Sequence, residues 1–156
     1  MERRRQGYWL MKSEPSEYSI DDLKRDKQAP WYGVRNYQAR NFMRDGMQLG
    51  DKVLFYHSSC PEPGVAGVAA VASVPYPDPT QFEKESPYAD PKATREKPRW
   101  ILVEVKFVQR FPSVVSLPVL RKTWSLRDLV ILRAGNRLSI TPVTRQEYET
   151  IVAMGR

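Results

Sequence analysis

Four short clusters set a flat aromatic ring beside polar groups: Trp9 with Lys12 and Ser13, Trp31-Tyr32 with Arg35 and Asn36, Tyr56 with His57 and Ser58, and Tyr76 with Asp78. That pairing suits one kind of chemistry. A protein that grips an extruded nucleobase needs apolar faces for stacking, plus a few hydroxyl, amide or backbone groups for the base edge. Taken singly, each Trp or Tyr is more often core than cage, because a small domain must bury its large rings. Four such clusters at element ends shift the balance toward a base pocket lined by these residues together with Val34 and Pro77.

Templates for catalysis fit poorly. The chain carries no G-x-x-x-x-G-K-[ST] loop, no G-x-G-x-x-G, no G-x-S-x-G elbow and no H-E-x-x-H. With a single histidine and a single cysteine, the common multi-His and Cys/His zinc sites are excluded, and so is an internal disulfide. A nucleophilic pair would have to use His57 and Cys60, which a strand would point to opposite faces. His57 reads equally as a core-edge imidazole bonded to backbone and as a pocket-rim group. Glu14, Glu17, Asp21 and Asp22 fall in a turn and a helix start, where capping explains them. No metal, cofactor or catalytic set is called for.

Charge points the same way as the aromatic clusters. Lys and Arg outnumber Asp and Glu by 25 to 18, for a net charge of +7. The stretch 92–137 alone holds 11 basic residues against Glu96, Glu104 and Asp128. Such a bias attracts polyanions, of which nucleic acid is the most abundant in cells. Arg95, Lys97, Arg99, Arg121 and Lys122 are the phosphate-binding candidates within it.

The elements that must position these groups follow from pattern. With 156 residues and 41% apolar content, the chain has core material for one compact domain over residues 1–156. No apolar run approaches the ~18 residues of a membrane span, and the N-terminal segment does not resemble a signal peptide. Residues 7–12 read as a buried strand, Ser19 caps a short helix, and 31–35 form an aromatic loop or strand. Asn36 caps a helix running to about Asp45. Asp51–His57 alternates, with Val53, Phe55 and His57 on one face. Val65–Val74 is small and β-branched, favouring a tightly packed strand over a helix. Residues 84–98, with Pro87, Pro91 and Pro98, read as a surface loop. Arg99–Val108 is the longest strand candidate, Ser125 opens a helix closed by Gly135, 137–141 is a short strand, and Thr144 with Glu147 forms a capping box. The sum is an α+β domain: a small mixed or antiparallel β-barrel flanked by short helices.

Several of these segments resemble the signature of the EVE domain family. They are Tyr8-Trp9-Leu10-Met11-Lys12-Ser13-Glu14-Pro15, Trp31-Tyr32-Gly33-Val34-Arg35-Asn36-Tyr37-Gln38-Ala39-Arg40-Asn41, Gly50-Asp51-Lys52-Val53-Leu54-Phe55-Tyr56-His57-Ser58, Gly67-Val68-Ala69, Tyr76-Pro77-Asp78 and 137–144. The resemblance implies a PUA-like fold related to YTH and ASCH domains. It also implies recognition of nucleic acid carrying a modified base: a modified cytosine in DNA or a modified RNA base. In YTH relatives a Lys-Ser pair ending the first strand and a Trp shortly after it help form the pocket; Lys12, Ser13 and Trp31 match those places. Tyr32 departs from the small or acidic residue common there and is expected to narrow the pocket mouth. The expectation is a monomeric reader that needs no cofactor and no membrane, cytoplasmic, or nuclear in a eukaryote. The alternative is a nucleic-acid-modifying or hydrolytic enzyme of the ASCH-like type. If Trp31 lines a pocket, Trp31→Ala should abolish preference for a modified base while leaving the fold intact.

Overall fold

A computed structural model describes residues 6–156; the basic run Arg3-Arg4-Arg5 lies outside the described residues. Six strands form one sheet in the order β2-β7-β4-β3-β1-β8. They are β1 (Tyr8–Ser13), β2 (Gln28–Pro30), β3 (Lys52–His57), β4 (Gly64–Val71), β7 (Glu104–Ser116) and β8 (Ile140–Pro142). Strands β5 (Tyr76–Pro77) and β6 (Ile101–Leu102) pair separately. The β1–β3 pair is parallel and every other pair is antiparallel. Helices α1 (Ile20–Asp26), α2 (Tyr37–Asn41), α3 (Leu117–Lys122) and α4 (Arg145–Gly155) flank the sheet.

Covered on both faces, the central strands show near-continuous apolar runs. All eight residues of β4 are buried. Alternation along β3 sends Val53 and Phe55 into one core and Leu54 and Tyr56 into another. The first core takes Leu23 of α1, Ala39 of α2 and Trp31; the second takes Leu120 of α3 and Ile151 of α4. Trp31, one residue beyond edge strand β2, meets the Phe55 ring edge-on at 5.5 Å. Strands β7 and β4 lie between β2 and β3 in the sheet. That contact therefore requires the sheet to curl into a half-barrel, with Phe55 on its inner face.

Local chemistry explains most boundaries. Ser19 and Thr144 both make full capping boxes, with Asp22 and Glu147 as the reciprocal partners. The Asn36 side chain accepts the Ala39 N–H and starts α2, but the helix runs into a π turn over Phe42–Gly46 rather than continuing as α. Strand β7 extends well past Val108 to Ser116; it carries Pro112 in a bulge, where Gly67 pairs with Arg110 and Val65 with Val115.

The helix expected from Ser125 to Gly135 is absent. Pro118, early in α3, starts a helix sooner, and only 3-10 turns follow, over Trp124–Leu126 and Val130–Leu132. Leu126, Leu129 and Ile131 are all buried. On an α-helix Leu126 and Ile131 would lie about 140° apart, so one helical face could not bury both. The strand expected over 137–141 begins only at Ile140.

Candidate functional site

Because β1 and β3 run parallel, Ser13 and His57 finish at the same end of the sheet. There the chain opens a cavity of about 860 Å³. Lys12, Ser13 and Glu14 border it, with Glu17, Tyr18 and Asp26 from the turn and helix that follow, and Ser58-Ser59 after β3. Across from them stand residues 28–35 and Tyr88, and Arg137 and Ser139 complete the wall. Backbone bonds fasten these segments together: Ser58 donates its N–H to the Ser13 carbonyl at 3.0 Å, and Lys12 donates to Ser139 at 2.8 Å. The Ser13 hydroxyl donates to the Tyr18 carbonyl at 2.6 Å.

The Trp31 turn is held by one buried carboxylate. Asp78, 1% exposed, accepts the Gly33 N–H at 2.8 Å and the Arg35 guanidinium at 3.2 Å through one oxygen. Its other oxygen accepts from the Thr80 N–H at 2.8 Å and from the Thr80 hydroxyl. Arg35 reaches on to the Thr80 hydroxyl and the Tyr88 carbonyl, and its guanidinium lies 5.6 Å from the Tyr88 ring and 5.3 Å from the Trp100 ring. Gly33 is required twice. Its φ is +83°, and a Cβ there would sit 2.7 Å from the Tyr88 ring. Trp31 itself is 9% exposed, so it closes the inner wall of the cavity, while Tyr32 and Tyr88 stand exposed at the mouth.

Electrostatically the cavity is mixed. Lys12, Arg35 and Arg137 face Glu14, Glu17 and Asp26 around it. Burial lowers the Lys12 ammonium below its ordinary value. Burial and then the 2.8 Å bond to Asp26 push the Tyr18 phenol upward, keeping it a donor.

Of the residues singled out from sequence, Lys12, Ser13, Trp31, Tyr32, Val34, Arg35 and Ser58 come together around this cavity. The others do not line it. The Trp9 indole is buried at the opposite end of β1 and donates to Asp51 at 3.0 Å. Asn36 spends its side chain as the cap of α2. Tyr56 points into the second core. His57 accepts the Ile20 N–H through Nε2 at 3.1 Å, the backbone-bonded alternative, and burial lowers its pKa. The Tyr76 hydroxyl donates to Glu104 at 2.8 Å, and that phenol is pushed up to about 12 by burial and the carboxylate. Pro77 sits in β5, and Asp78 acts from behind the Trp31 turn.

The phosphate candidates are scattered. Arg95 lies over the Phe82 ring at 4.8 Å, Arg99 approaches Asp90 at 3.9 Å, Lys97 belongs to the exposed 84–98 loop, and Arg121 and Lys122 end α3. None of these five borders the cavity; Arg137 does.

Several lining groups were missed, Asp26, Ser59, Arg137 and Ser139 among them. Glu14 and Glu17 border the cavity rather than merely filling a turn. Tyr18 and Tyr88 do too, and Tyr88 belongs to a loop that sequence marks only as charged and proline-rich. That loop is tied down: Asp90 accepts the Trp100 indole N–H at 2.8 Å. The signal was faint, an aromatic and a carboxylate two residues apart within a polar stretch.

A curled half-barrel sheet with short helices and an open cavity at the end of its parallel strand pair defines a PUA-like α+β domain. The chain belongs to the EVE domain family, whose model matches residues 7–154. Human thymocyte nuclear protein 1 is 41% identical over 166 residues, which cover 95% of this chain and 73% of that protein. A hypothetical protein from Leishmania major matches at a TM-score of 0.93 and 50% identity, covering 97% of this chain and 95% of its own. Human THYN1 protein, in complex with 5-methylcytosine-containing DNA, matches at a TM-score of 0.89 and 38% identity over 96% of this chain and 98% of its own. An ASCH protein from Zymomonas mobilis, 11% identical with a TM-score of 0.55, shares the fold alone.

Proposed function

We propose that this domain is a nucleic-acid reader that takes a modified base, unpaired from its strand, into the cavity between β1 and the Trp31 turn. The observation that carries this is the composition of that one space. An indole closes its inner side, two exposed tyrosine rings stand at its mouth, and Lys12, Ser13, Ser58 and Ser139 offer hydrogen-bonding groups along the opposite wall. A flipped base needs that combination of apolar face and edge partners. The human relative crystallised with 5-methylcytosine DNA supports a modified cytosine as the first base to test. Lys12 and Arg137 are placed for the adjoining phosphates. Arg95, Lys97, Arg99, Arg121 and Lys122 are outer contacts that add affinity without sequence information. The protein acts as a monomer and works where its nucleic acid is, in the cytoplasm or in a eukaryotic nucleus.

A binding screen tests this directly. Short DNA and RNA oligonucleotides differing only in one modified base are titrated at a single salt concentration. At least one modified strand should bind about tenfold or more tighter than its unmodified counterpart. Equal affinities across the whole panel would remove the reading.

A second reading rests on Lys12, Glu14, Glu17 and Asp26 sharing the cavity. An amine and several carboxylates are the parts of acid–base chemistry. Mass analysis of the same oligonucleotides after overnight incubation decides between them: an altered base or cleaved strand indicates an enzyme, and intact strands indicate a reader.

A further inference from the structure

Three of the four tryptophans, Trp9, Trp31 and Trp100, are 9% exposed or less, whereas Trp124 is 76% exposed. An isolated surface aromatic needs no explanation, but Trp124 is not isolated from charge or left loose. Its turn is anchored by buried Leu120 on one side and buried Leu126 on the other. The Arg127 guanidinium lies over one face of the indole, 4.3 Å from the ring centre, and donates to the Trp124 carbonyl at 3.0 Å. One face is thus covered by a cation and the ring is held outward. Exposed Arg121 and Lys122 precede it at the end of α3.

This platform lies toward the cavity end of the sheet. Leu117, the first residue of α3, donates its N–H to Pro63. Ser116 pairs with Gly64, Gly64 with His57, and His57 with Ser13 on the cavity wall. Three strand spacings of about 4.8 Å, a six-residue helix of about 9 Å and two further residues of about 3.5 Å each put Trp124 within about 30 Å of Ser13. Tyr56 sits between the two with a cation on either side: Lys12 Nζ lies 6.0 Å from its ring, and burial and then Cys60 raise its phenol while nearby Arg121 lowers it.

We propose that Trp124, backed by Arg127, is a second stacking site that receives a nucleotide flanking the read base, with Arg121 and Lys122 holding the intervening phosphates. This rests on the reader function proposed above and narrows its ligand. The strand must be unpaired or easily unstacked for several nucleotides beside the modified base, since a base inside a duplex offers no free face to an external indole. At about 3.4 Å per stacked nucleotide along one strand, the distance corresponds to roughly nine nucleotides or fewer.

The test uses the full chain with single-stranded DNA: a twenty-nucleotide strand carrying one central 5-methylcytosine, its unmodified counterpart, and a trinucleotide with the same modified base. Trp124→Ala should weaken both twenty-nucleotide strands by about tenfold or more and leave the trinucleotide unchanged. Trp124→Phe should recover most of the loss, and the modified-to-unmodified ratio should stay at its wild-type value in both variants. Binding of the long strand should also quench tryptophan emission less in Trp124→Phe than in wild type. Because Trp124 is exposed, the melting temperature of both variants should match wild type, which separates lost stacking from lost folding. Wild-type affinity of Trp124→Ala for the twenty-nucleotide strands would overturn the proposal, as would an equal loss on the trinucleotide. Equal binding of modified and unmodified strands by the wild type would count against the base-reading cavity instead, leaving the Trp124 comparison to be decided on either strand.

Discussion

Asp51 and Asp78 are both buried carboxylates that fasten a tryptophan-bearing segment, one at each end of the curled sheet. At the closed end, Asp51 accepts the Gly7 and Gln48 N–H groups at 2.9 Å each and the Trp9 indole N–H at 3.0 Å. It bonds the ring itself, and Trp9 packs on Phe42 at 5.3 Å. At the open end, Asp78 bonds the Gly33 backbone, the Arg35 side chain and Thr80 rather than the Trp31 ring. The first arrangement uses up the indole N–H and seals a core. The second positions an indole while leaving its border on a cavity. The same device, a buried carboxylate collecting N–H donors, yields a structural end and a binding end according to which atoms it takes.

Trp9→Ala breaks the closed end and should have the largest effect. Losing a buried tryptophan costs about 3–5 kcal/mol, and it removes a donor from the buried Asp51 as well. Urea denaturation measures it. Base preference in the remaining folded protein should be unaffected, and loss of that preference would make the two ends functionally inseparable.

Asp78→Asn comes next. It removes the charge that pairs with Arg35, whose side chain is 23% exposed, so the cost should be about 2 kcal/mol, below that of a fully buried pair. Here a second readout should move: selectivity for the modified strand falls while affinity for unmodified strand holds. A variant that is destabilised but keeps full selectivity would reduce Asp78 to a packing role.

The expectation that Trp31→Ala spares the fold needs revision. Trp31 belongs to the inner core and also borders the cavity, so truncation would cost both stability and binding. Trp31→Phe is the sharper probe. It keeps an apolar ring and should lower discrimination by roughly tenfold with a shift in melting temperature smaller than that of Trp9→Ala. Unchanged discrimination would shift the reading to Tyr32 and Tyr88 at the mouth.

Two smaller effects test what surrounds the cavity. Neutral His57 accepts the Ile20 N–H at the start of α1, and burial lowers its pKa below the ordinary 6.5. The unfolded chain therefore binds more protons in this window. Stability from His57 is complete above about pH 6.5 and declines as pH falls from there toward the folded value. Thermal melts between pH 5 and 8 should show this decline, and His57→Gln should flatten it. Arg137→Ala should reduce the slope of log affinity against log salt by about one. Arg99→Ala should change it less, since Asp90 already engages that guanidinium at 3.9 Å.

Much of this architecture was legible before any coordinates. Capping boxes at Ser19 and Thr144 are local chemistry, complete within four residues, and both appear as expected. Alternation in β3 likewise assigned Val53 and Phe55 to one face. The region from Ser125 to Gly135 misled because its apolar residues are drawn to a core that local pattern does not reveal. The aromatic clusters were also only half informative. Each placed a ring beside polar groups, but Trp9 and Tyr56 find their partners in the two cores and Trp31 finds the cavity.

By itself the sequence determined what short-range forces determine: most of the strands, the caps at Ser19, Asn36 and Thr144, an excess of basic residues and a set of rings with polar neighbours. Motifs shared with its family carried the fold class as well. Tertiary structure decided which of those rings shares a space with Lys12 and Ser13. That choice depends on the curl of the sheet, which brings a residue beyond edge strand β2 against Phe55. It depends equally on Asp78, which holds Gly33 from 45 residues away. Such contacts are long-range closures whose loop entropy is offset only when the whole sheet forms, so no local segment of the chain could announce them.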